Sequence, residues 1–157
     1  MEDIEVEYLG NEDLLQSSKV AFLAPGRLIP STLASTRLWA KEAIRDNQVL
    51  VGGFSTELEK DVWNIAEHNE GSLILVLVRK KFRNIPSQYV QLLAEGRLLI
   101  IFLGRNWRLN RQYELERDKY ICNLSDSIVF PTMLSMLALP RNYLEVMDQE
   151  KEIKVIT

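Results

Sequence analysis

The stretch that decides the fold is residues 48–59, which reads QVLVGGFSTELE. The apolar run at residues 49–51 predicts a short buried strand. Gly52 and Gly53 follow, and a glycine pair allows the backbone to turn sharply or to approach a ligand closely. Residues 55–57, Ser-Thr-Glu, are typical of a helix start. A strand, a glycine turn and a helix N-terminus in succession favour binding of an anion or a sugar phosphate.

The same alternation of strand and helix signals extends along the chain on both sides of this stretch. Residues 19–24 predict the first buried strand, and Pro30 with Ser31 predicts the start of the helix that follows it. Gly71 is predicted to end the second helix in the left-handed conformation. Further apolar runs predict three more strands, separated by helices, at residues 73–78, 98–103 and 127–130.

Strands that alternate with helices imply right-handed crossovers and a parallel sheet covered on both faces. The sequence therefore predicts an α/β, Rossmann-like three-layer fold with a mainly parallel sheet of five or more strands. The whole chain, 1–157, is expected to form one domain. It includes an acidic N-terminal segment at residues 1–18 and a C-terminal tail at 131–157, each with the alternating pattern of an edge strand.

Composition excludes several classes of function. The 157 residues are 46% hydrophobic and 26% charged, which is ordinary for a soluble globular protein. One cysteine and one histidine leave no internal disulfide and no cysteine- or histidine-rich metal site. No apolar run reaches the length of a membrane span, and the acidic N-terminus lacks a signal-peptide pattern. A cytoplasmic location is expected, with neither metal nor cofactor.

Basic residues concentrate in the loops that follow the predicted strands, although the net charge is −3. Ligands of such sheets bind at the carboxyl ends of the strands, so these loops would form a positive rim that attracts phosphates. Phe82 and Trp107 interleave with the charges and are predicted to stack on bases. The alternative is that the charges are merely solvated. Eight of the 19 lysines and arginines lie in these loops: Arg27, Arg79, Lys80, Lys81, Arg83, Arg105, Arg108 and Arg111.

No arrangement of residues indicates a catalytic centre. Glu57 and Glu59 are candidates for general acid–base chemistry, but carboxylates in a first helical turn usually stabilise the helix dipole. Cys122, Trp39 and Trp63 fall on helices and are predicted to be packing residues. We therefore predict no catalytic residue.

Several motifs are similar to those of a known family. Residues 25–27, PGR, resemble its G-S-R turn, and residues 52–59, GGFSTELE, resemble its S-G-x-A-x-G-I-D loop. Residues 117–127, RDKYICNLSDS, resemble its R-N-R-I-I-A-G-L-S-D-A segment. Over residues 19–130 the chain thus resembles the Rossmann-like domain of the DNA-processing protein A (DprA/Smf) family. That domain belongs to the wider SLOG superfamily, which includes the LOG-type nucleotide phosphoribohydrolases.

The resemblance implies a domain that binds single-stranded DNA or a nucleotide, acts with a RecA-type recombinase and forms a homodimer. It departs from the family at Glu57, which replaces a glycine and would repel phosphate. The residues predicted to bind nucleotide or phosphate are Gly26, Arg27, Gly52, Gly53, Ser55, Thr56 and Arg117. Those predicted to contact a nucleic-acid backbone are Lys80, Lys81, Arg83, Arg105 and Arg108.

Two other functions stay open at this point. The first is a LOG-like nucleotide N-glycosidase, which would use Glu57 or Glu59 together with an arginine near the sugar phosphate. The second is a divergent interaction or sensor domain that has kept the fold and lost the ligand.

Overall fold

The computed structural model of the chain describes residues 5–25, 30–104, 111–139 and 151–156. Within these ranges the chain forms one sheet of seven strands. In chain order they are β1 (Val6–Gly10), β2 (Lys19–Phe22), β3 (Val49–Gly52), β4 (Leu73–Leu77), β5 (Leu98–Leu103), β6 (Ser127–Phe130) and β7 (Glu152–Val155).

Helices connect most of the successive strands. Short 3-10 helices lie at Glu12–Gln16 and Pro30–Thr32. The α-helices of the described residues are α1 (Leu33–Arg45), α2 (Glu57–His68), α3 (Ser87–Ala94), α4 (Arg111–Leu124) and α5 (Met133–Leu137). None of these described helices is long and apolar enough to cross a membrane.

The strand order is β1-β5-β4-β3-β2-β6-β7. Strands β2 to β7 pair in parallel, and β1 alone among the described strands runs antiparallel, beside β5. The carboxyl ends of six strands therefore lie at one edge of the sheet, which we call the carboxyl edge. The strand order reverses between β2 and β6, and ligands of open α/β sheets bind beside such a reversal.

Each face of the sheet is covered, as the unbroken apolar runs of the central strands predict. Leu73 and Leu75 of β4 pack on one side with residues of α1, α2 and α3. Ile74 and Val76 of the same strand pack on the other side with Ile121 and neighbouring residues of α4. The predicted three-layer fold with a mainly parallel sheet is confirmed, and the two terminal segments supply its edge strands, β1 and β7.

The C-terminal end of α2 differs from the prediction in one detail. The left-handed residue is Glu70, with φ of 59°, and not Gly71. Gly71 instead lies in a tightly packed place, because a Cβ there would lie 3.0 Å from Ile44 Cγ1 and 3.1 Å from Ala66 Cβ. Close packing of α1 against the end of α2 therefore explains this glycine.

Candidate functional site

The carboxyl edge brings together the loop after β3, the loop after β4 and one end of α4. The first contains Gly53 to Thr56, and the second contains residues 79–83. Gly26, Arg27, Arg105, Trp107 and Arg108 lie outside the described residues, so their assignments stay predictions. Among the described residues, no group of three His, Cys, Asp or Glu side chains is placed to hold a metal ion.

Neither glycine of the pair takes a positive φ in the turn after β3. Phe54 takes the positive φ, 48°, and its ring is buried. Gly53 instead makes room for the guanidinium of Arg117, because a Cβ at Gly53 would lie 2.6 Å from Arg117 Cζ. The space beside Gly53 is thus filled by a side chain of the protein. Contact of Gly52 or Gly53 with a ligand stays a prediction.

The carboxylate of Glu59 lies under this turn, and Glu59 is only 4% exposed. Its Oε1 accepts hydrogen bonds from the backbone N–H groups of Ser55 (3.0 Å) and Thr56 (3.2 Å), and its Oε2 accepts one from Ala24 N–H (2.9 Å). Thr56 Oγ1 in turn accepts from Glu59 N–H, which completes a capping box. Glu59 therefore joins the loop after β2 to the loop after β3.

This arrangement changes the anion site that the sequence predicts at the start of α2. The N–H groups of Ser55 and Thr56 point at an internal anion, the Glu59 carboxylate, and not at solvent. Ser55 is exposed, so its hydroxyl remains able to contact a ligand. Glu59 is unsuited to acid–base catalysis because it is buried and holds three backbone donors. Glu57, by contrast, is exposed in the first turn of α2.

Arg117 and Asp118 form a buried pair at the base of the same cluster. Arg117 is 7% exposed and Asp118 is 8% exposed, and Arg117 Nε lies 3.4 Å from Asp118 Oδ1. Burial, together with the charges of Glu59 and Glu114, raises the pKa of Asp118 to about 6, although Arg117 opposes the shift. Arg117 thus supports the glycine turn from below, and direct contact with a phosphate stays a prediction.

The loop at residues 79–83, which we call the basic loop, differs in being exposed. Arg79, Lys80, Lys81 and Arg83 are all exposed, and none forms an ion pair within the described part of the chain. These residues line a depression of about 540 Å³ together with Phe82, Asn84 and Pro86. The predicted cluster of exposed cations is therefore present after β4.

Phe82 in this loop is half-buried and packs partly against the core, and its role in base stacking stays a prediction. Its ring stacks on Tyr89 at 5.9 Å and meets Phe102 edge-on at 5.1 Å between ring centroids. Arg79 Cζ lies 4.3 Å from the centroid of the same ring. These contacts anchor the basic loop to the core, and Phe82 also lines the depression formed by this loop.

Sequence reasoning missed the structural use of Glu59 and Asp118. For Glu59 a signal exists, since Thr56 followed three residues later by Glu59 is a capping-box pattern. For Asp118 no local signal exists, because its burial depends on how α4 packs against the loops. The packing roles predicted for Trp39 and Cys122 are confirmed: both are buried, and Trp39 stacks on Phe22 at 5.2 Å.

Solved structures with the same fold are known. DNA-processing protein A from Helicobacter pylori, described with its single-stranded DNA binding mode, matches with a TM-score of 0.66 and 19% identity, over 90% of this chain and 69% of that one. DNA-processing protein A from Streptococcus pneumoniae matches with a TM-score of 0.63 and 20% identity, over 83% of this chain but only 47% of that one.

A protein with a different ligand also shares the fold. The molybdenum cofactor carrier protein of Chlamydomonas reinhardtii matches with a TM-score of 0.53 and 15% identity, over 90% of this chain and 77% of that one. No protein-family model and no curated protein sequence matches this chain. The resemblance to DNA-processing protein A is confirmed in the fold, and the fold alone does not decide the ligand.

Proposed function

We propose that this protein binds single-stranded DNA, or a nucleotide, along the carboxyl edge of its sheet and does not itself catalyse a reaction. The observation that carries the proposal is the basic loop. Four cationic side chains that are exposed and free of ion pairs within the described residues lie at the edge where α/β folds bind ligands. Cations arranged in this way hold phosphates by charge.

The charge of the basic loop favours an extended strand. Four of the seven residues that line the depression are cationic, whereas a site that selects one small molecule is usually lined mostly by apolar residues. A positive groove that follows a sugar-phosphate backbone is the common solution for binding single strands without sequence preference. Lys80, Lys81 and Arg83 are the described contacts in this proposal, and Arg105 and Arg108 would extend them.

The glycine turn has a smaller part in the proposal. Its N–H groups at Ser55 and Thr56 donate to Glu59, and Arg117 fills the space beside Gly53. Gly52, Gly53, Thr56 and Arg117 would shape the edge, and the Ser55 hydroxyl would reach a phosphate. Gly26 and Arg27 follow β2, beside the point where the strand order reverses, and would continue the binding surface there.

The structural neighbours support the proposal without deciding it. The Helicobacter pylori protein binds single-stranded DNA and shares this fold. The RecA-type recombinase and the homodimer that the family resemblance implies remain predictions.

An N-glycosidase is less well supported. Glu59 is buried and bonded to three N–H groups, so only the exposed Glu57 would be left to act as its carboxylate.

The test is binding of a fluorescently labelled oligothymidylate, measured by anisotropy at low salt. Reversing two charges in Lys80→Glu/Lys81→Glu should weaken binding by at least about tenfold, because phosphate contacts dominate such affinities. The matched control is Lys41→Glu/Arg45→Glu, which changes the same charge on exposed residues near the C-terminal end of α1. Equal losses in the two variants, or no binding by the wild type, would refute the proposed binding of a strand by the basic loop.

A further inference from the structure

A cleft of about 510 Å³ lies between α2 and α3, above β4 and next to the glycine turn. Leu75 and Leu77 of β4 form its floor, and Gly53 and Ser55 lie at one end of it. A volume of this size is typical of sites for small organic ligands. The cleft therefore opens from the carboxyl edge onto the face of the sheet that α1, α2 and α3 cover.

Two aromatic rings line this cleft and are only half-buried. Trp63 and Tyr89 lie 5.8 Å apart between ring centroids and are inclined at 68°. They belong to a continuous row of rings that begins at Phe54, 5.2 Å from Trp63, and ends at Phe82, 5.9 Å from Tyr89. Phe54 is buried and Phe82 lies outside the cleft, so Trp63 and Tyr89 are the half-buried rings of the row that a flat ligand in the cleft can reach.

The charge of the polar side chains changes along the length of the cleft. Lys60 and Ser55 are exposed near the carboxyl edge. Asn64 lies one helical turn after Lys60, and Glu67 lies nearly one turn further. A phosphate is thus attracted at the edge by Lys60 and repelled deeper in the cleft by Glu67.

Amide groups stand where the edge of a flat ligand would lie. Asn64 on α2 and Gln88 on α3 both border the cleft and are exposed. Each side-chain amide offers both donors and an acceptor, the same complement that pairs with the hydrogen-bonding edge of a nucleobase. Aromatic walls, amides at the rim and a cation at one end together match a nucleotide that enters base first.

We propose that this cleft binds one nucleobase against the half-buried rings of Trp63 and Tyr89, with its 5′ phosphate directed to Lys60 and Ser55. The inference rests on the proposed function, because a strand held by the basic loop runs past the mouth of the cleft and can insert one base. The base belongs either to such a strand or to a free nucleotide, and the two sources are separable by experiment.

The test follows the indole N–H resonance of Trp63 by NMR in the wild-type protein, assigned by its loss in Trp63→Phe. The four deoxynucleoside monophosphates, added singly, should shift this resonance in a saturable manner for at least one base. Deoxyribose 5-phosphate, which lacks a base, should leave it unchanged. A resonance that no base-bearing probe shifts, or that the sugar phosphate shifts equally, would overturn the inference.

Variants of the rim residues provide a second readout. Gln88→Ala should weaken binding of the responding nucleotide by about three- to tenfold, the range expected for one lost hydrogen bond. The matched control is Gln91→Ala, an exposed glutamine on the same helix that lines a different cavity. Equal affinities of these two variants would count against the assigned contact and against the inference.

Oligonucleotides separate this inference from the proposed function. An oligothymidylate that binds without moving the Trp63 resonance, while all four free nucleotides are also silent, would refute the cleft and leave the proposed function standing. A free nucleotide that shifts the resonance while no oligonucleotide binds would refute the proposed strand binding and support the cleft as a site for free nucleotides.

Discussion

At the scale of single residues, Glu59 is the side chain that joins two loops at the carboxyl edge. Its carboxylate accepts from three backbone N–H groups in two loops. A glutamine at this position would offer one carbonyl oxygen, and its NH₂ group would face a donor. We expect Glu59→Gln to lower the free energy of unfolding by about 2 to 4 kcal/mol, because hydrogen bonds to charged groups are strong and a buried donor would lose its partner.

The control for this prediction is two residues away. Glu57 is exposed in the same helical turn, so Glu57→Gln should change the free energy of unfolding by less than about 0.5 kcal/mol. Urea denaturation of the two variants and the wild type measures the difference. Equal stabilities of the two variants would show that Glu59 does not join the loops.

Asp118 gives the protein a specific pH dependence. Its pKa is about 6 in the folded state because of burial, above the ordinary value near 4 in the unfolded chain. Between these values the folded state binds the proton more tightly, so stability from this group is full below about pH 4 and is lost as the pH rises to about 6. The change amounts to at most about 3 kcal/mol, at about 1.4 kcal/mol for each pH unit.

Asp118→Asn removes this titration and serves as the comparison. The difference in unfolding free energy between wild type and Asp118→Asn should change with pH between about 4 and 6 and be constant above. Urea denaturation at a series of pH values measures it. Parallel pH profiles for the two proteins would mean that Asp118 does not titrate with a raised pKa.

At the scale of elements, the C-terminal end of α2 is held by a residue from another part of the sheet. Arg97, just before β5, donates from Nη2 to the carbonyls of Ala66 and Glu67, both at 2.9 Å, and from Nε to the carbonyl of Gly71 at 2.9 Å. A cation at a helix C-terminus also stabilises the helix dipole. Arg97 thus fixes α2, which carries Lys60, Trp63 and Asn64 of the cleft.

We expect Arg97→Ala to lower the free energy of unfolding by about 2 kcal/mol or more, since several carbonyls lose a charged donor. Glu95 pairs with Arg97 at 2.8 Å but is 40% exposed, so Glu95→Gln should cost less than about 1 kcal/mol. Denaturation of both variants tests the assignment. A larger loss in Glu95→Gln would show that the ion pair, and not the carbonyl contacts, holds the helix.

The elements themselves could be predicted because their signals are local. The apolar runs of β2 to β6 and the helix start at Thr56 lie within a few residues of the structure they determine. The roles of Gly53 and Gly71 could not be predicted in the same way. Each is explained by a side chain distant in sequence, Arg117 for Gly53 and Ile44 for Gly71, which only the packed fold brings close.

The same distinction separates the features of the candidate site that could be predicted from those that could not. The basic loop could be predicted, because exposed charges between a strand and a helix form a continuous pattern in sequence. The loss of the anion site at the start of α2 could not, because it depends on the geometry of the Glu59 side chain and the N–H group of Ala24. The aromatic cleft also escaped prediction, since Trp63 and Tyr89 lie on different helices.

At the scale of the whole molecule, the uneven distribution of charge has more effect on the field at the carboxyl edge than the net charge has. The net charge is −3, yet residues 79–83 present four cations at the carboxyl edge. Proteins that share this fold include a single-stranded DNA binder and a molybdenum cofactor carrier. The shared sheet therefore does not decide the ligand.

The salt dependence of oligothymidylate binding tests the central claim most directly. In a plot of log affinity against log salt from about 50 to 200 mM, the slope for Lys80→Ala/Lys81→Ala should be less steep than that of the wild type by about 1.4, because two phosphate contacts are lost. Lys41→Ala/Arg45→Ala should keep the wild-type slope. If the slopes of the wild type and both variants coincide, the basic loop does not hold the strand.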